Sequence, residues 1–153
     1  MDLRTRIAEG LKEAMRQRDA ERLSTLRLIN AAIKDRDIAL RGGGDEGEGV
    51  GDAEVLGILS KMVKQRGESI RAYEEGGRLE LAEKERFEIG VIEEYLPRPL
   101  DEAETARAID AAIARTGAST IRDMGRVMAD LKATHPGQID FARIGPSVKA
   151  RLA

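Results

Sequence analysis

Apolar residues recur every three or four positions along most of this chain, and no β-branched alternating run of useful length appears, which predicts helices rather than strands. Leu3, Ile7, Leu11, Ala14 and Met15 fall on one face and predict a first helix of roughly four turns. Asp19 is the expected N-cap of a second, with Glu21 in its first turn. That helix buries Leu23, Leu26, Ile29 or Asn30, and Ile33, and fades near Leu40. Asp52 is the expected cap of a third helix, whose stripe is Leu56, Leu59, Met62 or Val63, Ile70 and Tyr73, closed by Gly76-Gly77. A fourth runs to Tyr95 with Leu81, Ile92 and Tyr95 inward, and Glu85 and Glu88 on the same side.

Tyr95-Leu96-Pro97 then stops the pattern. Proline disfavours helical geometry in the residue before it, and Pro99 follows at once. Asp101 and Glu104 form a capping-box pair that opens a fifth helix with Ala103, Ala106, Ile109, Ala112 and Ile113 inward, ending at Gly117. Ser119 or Thr120 starts a sixth, filled by Met124, Val127, Met128 and Leu131. After the turn at His135-Pro136-Gly137, Asp140 is the expected cap of a last helix carrying Phe141, Ile144, Val148 and Leu152, which Pro146 kinks or delays. The expectation is an all-α chain of two helical subdomains, 1–96 with about four helices and 97–153 with three. The stretch 41–51, rich in glycine and acids, has little to bury and reads as a mobile loop. It lacks the Gly-Lys-Ser/Thr ending of a phosphate cradle, and its acids repel anions.

Composition narrows this further. With 41% hydrophobic residues among 153 but only two Tyr, two Phe and no Trp, the core must be aliphatic, which suits helix-on-helix packing. Cysteine is absent, so disulfides, thiolate metal sites and cysteine nucleophiles are excluded; with no signal peptide or membrane-spanning run visible, a soluble cytoplasmic protein is expected. A net charge of −2 argues against a generic nucleic-acid binder, yet from Arg115 onward basic residues outnumber acids. His135 is the only histidine, so no histidine cluster holds a metal, and no hydrolase, Walker or dinucleotide fingerprint appears. The expectation is no catalytic residue, no metal and no cofactor.

Lys64-Gln65-Arg66 is the sharpest polar cluster. Arg66 falls on an apolar stripe, where an unpaired guanidinium is costly, so Glu85 or Glu88 is its expected partner. The pair either fixes helix register or leaves Arg66 to meet an external anion. Lys61, Lys64 and Arg71 lie off that stripe. In the second half, Arg122, Arg126 and Lys132 are expected on one helix, and with Lys149 and Arg151 they can grip phosphates. Interleaved aromatics are missing, which argues against base stacking on single strands.

At these residues the chain resembles the GatB/YqeY family, most closely its free-standing YqeY-like members. The matching runs are Lys64-Gln65-Arg66 with Glu68-Ser69-Ile70, Gly76-Gly77-Arg78 with Leu81, Lys84-Glu85, Glu88-Ile89, Tyr95-Leu96-Pro97, and Gly117-Ala118-Ser119 through Asp123-Met124-Gly125-Arg126-Val127-Met128, completed by Gly137 and Asp140. They span nearly the whole chain. The departures are the glycine-acid stretch and Pro146, the latter bearing on Lys149 and Arg151.

The resemblance implies an all-helical protein whose second subdomain is similar to the tail of the B subunit of tRNA-dependent amidotransferase. In that subunit the tail contacts tRNA, and the ATP- and ammonia-dependent chemistry belongs to a separate domain that has no counterpart here. The expected function is a tRNA-binding or translation-linked accessory protein without chemistry of its own, meeting tRNA through Arg122, Arg126, Lys132 and Lys149. One alternative is a component of carbon–nitrogen ligase activity with glutamine as amido donor, working with amidotransferase partners; another is a helical protein-interaction module.

Overall fold

The computed structural model describes residues 2–42 and 49–153. It is all-helical, with α1 (Leu3–Arg16), α2 (Ala20–Gly42), α3 (Asp52–Glu75), α4 (Leu79–Glu93), α5 (Glu102–Thr116), α6 (Met124–Thr134) and α7 (Gly145–Leu152). A 3-10 turn, Ile121–Asp123, precedes α6, and no strand occurs among the described residues. The chain divides into two compact units, Met1–Leu96 and Pro97–Ala153.

In the first unit α3 and α4 pack as a long antiparallel hairpin, and α1 and α2 lie against it. Their shared core is aliphatic: Ile7, Leu26, Ile29, Val55, Leu59 and Ile92 are fully enclosed. Asp2 caps α1 by accepting from the Thr5 N–H at 2.8 Å, and Gly77, at φ 72°, supplies the left-handed residue that reverses α3 into α4. Some expected inward positions turn out otherwise. Met15 and Leu81 are exposed, because Ala14 and Ala82 are the residues on those turns that face the core. Asp52 is not an N-cap: Gly51 holds that place, and the Asp52 carboxylate accepts the Leu3 N–H at 3.0 Å instead.

The expected loop 41–51 departs from the sequence reading at its first described end and is anchored to the core at its second. Arg41 and Gly42 complete α2, and residues 43–48 lie outside the described residues. Val50 is buried in the core, with its N–H donated to Asp37 Oδ1 at 2.9 Å. Arg4 closes on the same Asp37 carboxylate through two bonds, of 3.1 and 2.8 Å.

In the second unit α5, α6 and α7 pack against one another around Ile109, Val127, Leu131 and Val148. Asp101 and Glu104 form a reciprocal capping box at the start of α5, and Gly117 ends it at φ 67°. Asp140 does not start the last helix directly. Its Oδ1 holds a short turn through the Ala142 N–H at 3.1 Å, and regular helix begins only at Gly145. Pro146 stands in the first turn of α7, where a missing N–H costs nothing, so it delays the helix rather than kinking it.

Candidate functional site

Two groups of side chains carry the charge that could meet a partner, one in each unit. In the first, Arg66 sits midway along α3 and faces α4. Its Nε donates to Glu88 Oε2 at 2.8 Å, Glu85 Oε2 stands 3.9 Å away, and its Nη1 reaches the Met62 carbonyl at 3.3 Å. Glu85 and Glu88 are three residues apart, so a single guanidinium meets both. Lys64 and Gln65 are not part of this cluster; they point to solvent on the outer side of α3.

A groove of about 610 Å³ between α2 and α4 adjoins the cluster, lined by Ser24, Thr25, Glu80, Lys84, Phe87 and Glu88 among others. Neither Ser24 nor Thr25 marks it in the sequence, since Thr25 falls among the buried apolar positions of α2 and Ser24 is an exposed neighbour. Thr25 is fully buried and satisfied by donating its hydroxyl to the Glu21 carbonyl at 3.1 Å. At the far end of α4, Arg22 binds Glu94 through two bonds, of 2.6 and 3.0 Å, which raises the guanidinium pKa above its ordinary value. Tyr95 packs beside Gly10 with Arg6 over its ring at 5.5 Å from the centroid.

In the second unit the expected tRNA-facing cations separate into two kinds. Arg126 is paired within the unit, although its side chain stays exposed: it donates to Asp123 Oδ1 at 2.7 Å and to the Thr116 carbonyl at 2.8 Å. Asp123 in turn accepts the Ser119 and Thr120 N–H groups. Those bonds, with Arg126, hold its carboxyl down at about 2. Arg126 therefore closes the turn between α5 and α6. Arg122 does not share α6 with it, because Thr120 and Asp123 tighten residues 121–123 into a 3-10 turn before α6 begins.

Arg122, Lys132 and Lys149 are exposed and have no carboxylate within ion-pair distance among the described residues. Lys132 lies over the Phe141 ring at 5.8 Å from its centroid. Arg107, which the sequence did not single out, is also exposed and unpaired among the described residues. The remaining arginines of this unit are spoken for: Arg98 by Glu104, Arg115 by Asp130, Arg143 by Asp140 and Arg151 by Asp110. No two of the four expected cations share a hydrogen-bond partner among the described residues. No metal-binding cluster of His, Asp or Glu occurs among the described residues, and no described helix is long and apolar enough to cross a membrane.

The family model described as "Yqey-like protein" matches residues 4–152. Among curated proteins, the chain is similar to three fungal proteins named "Altered inheritance of mitochondria protein 41, mitochondrial". The one from Eremothecium gossypii is 32% identical, over 70% of this chain and 56% of the relative. The one from Meyerozyma guilliermondii is 36% identical, over 68% and 51%. The one from Kluyveromyces lactis is 25% identical, over 96% and 74%. The chain thus spans about half the length of the first two. These names overturn the expectation of a cytoplasmic protein. It rested on missing cysteines and missing apolar spans, and those features do not by themselves mark the cytoplasm.

Proposed function

From the premise that this chain belongs to the Yqey-like family, we propose that it is an accessory protein that holds tRNA through its second unit and contributes no chemistry of its own. One observation carries the reading. The second unit has nine basic and seven acidic residues, and internal ion pairs consume most of its carboxylates, which leaves Arg107, Arg122, Lys132 and Lys149 open to solvent. Unpaired cations on a small helical body attract phosphate, and their release of counterions makes binding strongly salt-dependent. The first unit, with 17 basic and 21 acidic residues, has the opposite balance. The similarity of the second unit to the amidotransferase tail supports tRNA over other polyanions.

The test is a tRNA gel shift at several salt concentrations. Arg122→Glu with Lys149→Glu should weaken binding and flatten the salt dependence by about one counterion per lost phosphate contact. Arg126→Glu is the poorer choice, since it breaks the turn that Arg126 closes. Binding that ignores salt, or that survives the double reversal unchanged, overturns the reading.

A further inference from the structure

The first unit leaves the outer face of α2 uncovered. Leu28, Ala31 and Ile38 lie on the outer side of α2, at spacings of three and seven residues, and Leu28 and Ile38 remain 44% and 65% exposed. Arg27, Lys34 and Arg41 run beside them at intervals of seven, all exposed. Neither Arg27 nor Lys34 has a carboxylate within ion-pair distance among the described residues. In heptad terms the apolar residues form a narrow seam, interrupted once by Asp35, and the cations occupy one flanking position through three successive heptads, about 21 Å of helix. The other flank, at Thr25 and Ala32, turns back into the protein's own core.

We infer that this face of α2 docks a helix of a partner protein that carries an apolar stripe flanked by acidic residues. Charge complementarity selects that occupant over the others. A second copy of this chain would set Arg27, Lys34 and Arg41 against each other in an antiparallel pair, or against Thr25, Ala32 and Ala39 in a parallel one, and neither arrangement answers the cations. A lipid surface calls for a broad apolar face, and this seam holds two large apolar side chains. Nucleic acid would contact the cations and leave Leu28 and Ile38 without partners. An acidic amphipathic helix satisfies both rows at once.

The experiment uses the full chain and two labelled 21-residue helical peptides with Leu/Ala heptads, one with Glu and one with Lys at the flanking positions, read by fluorescence anisotropy. The Glu peptide should bind, and Arg27→Glu with Lys34→Glu should weaken it about tenfold while admitting the Lys peptide. Leu28→Ser with Ile38→Ser should weaken both pairings, and since all four residues are exposed, thermal midpoints should stay within a few degrees of the parent. Failure of the Glu peptide to bind, or equal binding of both peptides by the parent, overturns the inference. So does a dimer in sedimentation that Ile38→Ser dissolves. So does binding of phosphatidylglycerol vesicles or tRNA that is lost in the double charge reversal while the peptide does not bind. Because Arg122 and Lys149 lie in the other unit, failure here leaves the tRNA reading standing, and the converse holds too.

Discussion

Arg66 Nε lies 2.8 Å from Glu88 Oε2, and the two side chains are only 14% and 12% exposed. The pair ties α3 to α4 where water is largely excluded, with Glu85 as a second carboxylate close by. Removing the cation alone would strand two half-buried acids of like charge. Arg66→Met should therefore cost about 2 kcal/mol in urea unfolding, and Arg66→Met with Glu88→Leu should recover most of it, because the desolvation penalty disappears with the charges. A double-mutant cycle measures the coupling. If Arg66→Met alone proves as stable as the parent, the pair is not a structural link, and Arg66 is better sought as a ligand for an outside anion.

Gly10 and Tyr95 form a second joint. A methyl group built on Gly10 would run into the Tyr95 hydroxyl, and Tyr95 is held in place by burial and by Arg6 over its ring. Gly10→Ala trades a helix-propensity gain of about 1 kcal/mol for an overpacking cost of about 1–3 kcal/mol, so a net loss is expected in the parent. In a Tyr95→Phe background the obstructing oxygen is gone, and the same substitution should be neutral or stabilising. The sign change between the two backgrounds, read by thermal melting, is the test; an unchanged sign means the ring moves aside freely.

Helix existence was legible wherever the apolar period was long, and the capping box at Asp101 and the left-handed Gly117 were legible from local chemistry alone. What escaped was decided by residues far apart in sequence. Asp52 reads as a cap, but the free Leu3 N–H at the start of α1 claims its carboxylate. Arg126 reads as a free cation, because nothing local reveals that the Thr116 carbonyl at the end of α5 needs a donor. On α2, an apolar face toward the core and a second one toward solvent blur the period, and this hides the outer seam at Leu28 and Ile38 in the sequence.

Val50 illustrates the cost of reading composition alone. It follows a glycine-acid run, yet it is buried and its N–H is held by Asp37, whose carboxyl pKa is lowered below its ordinary value first by that bond and then by Arg4. Val50→Ala should destabilise the first unit by about 2 kcal/mol, the cost of two buried methyls and the space they leave. Chemical denaturation checks it, and a loss below the error of the midpoint would mean that this residue is not part of the core. Asp37→Ala should in addition speed amide exchange at Val50, since its acceptor is removed.

Acid should weaken the second unit in a defined window. The Asp123 carboxyl is held at about 2, first by the Ser119 N–H, then by Arg126 and the Thr120 N–H. Glu104 is held at about 2, first by Arg98 and then by the Asp101 N–H. Their ordinary values are 3.8 and 4.5. A depressed folded-state pKa means that the unfolded chain takes up the proton first, so the stabilisation is fully present above about pH 5 and is lost as pH falls towards about 2. Thermal midpoints should therefore decline through that interval. Asp123→Asn and Glu104→Gln should each start lower at neutral pH, show a shallower decline, and converge on the parent near pH 2, because there the parent's own carboxyls are becoming neutral. Both carboxylates lie near the surface beside exposed arginines, so added salt should reduce the contribution of Arg98 and Arg126 while leaving that of the backbone N–H groups. A parent and variant that run parallel from pH 5 to pH 2 would show that neither carboxylate carries folding energy.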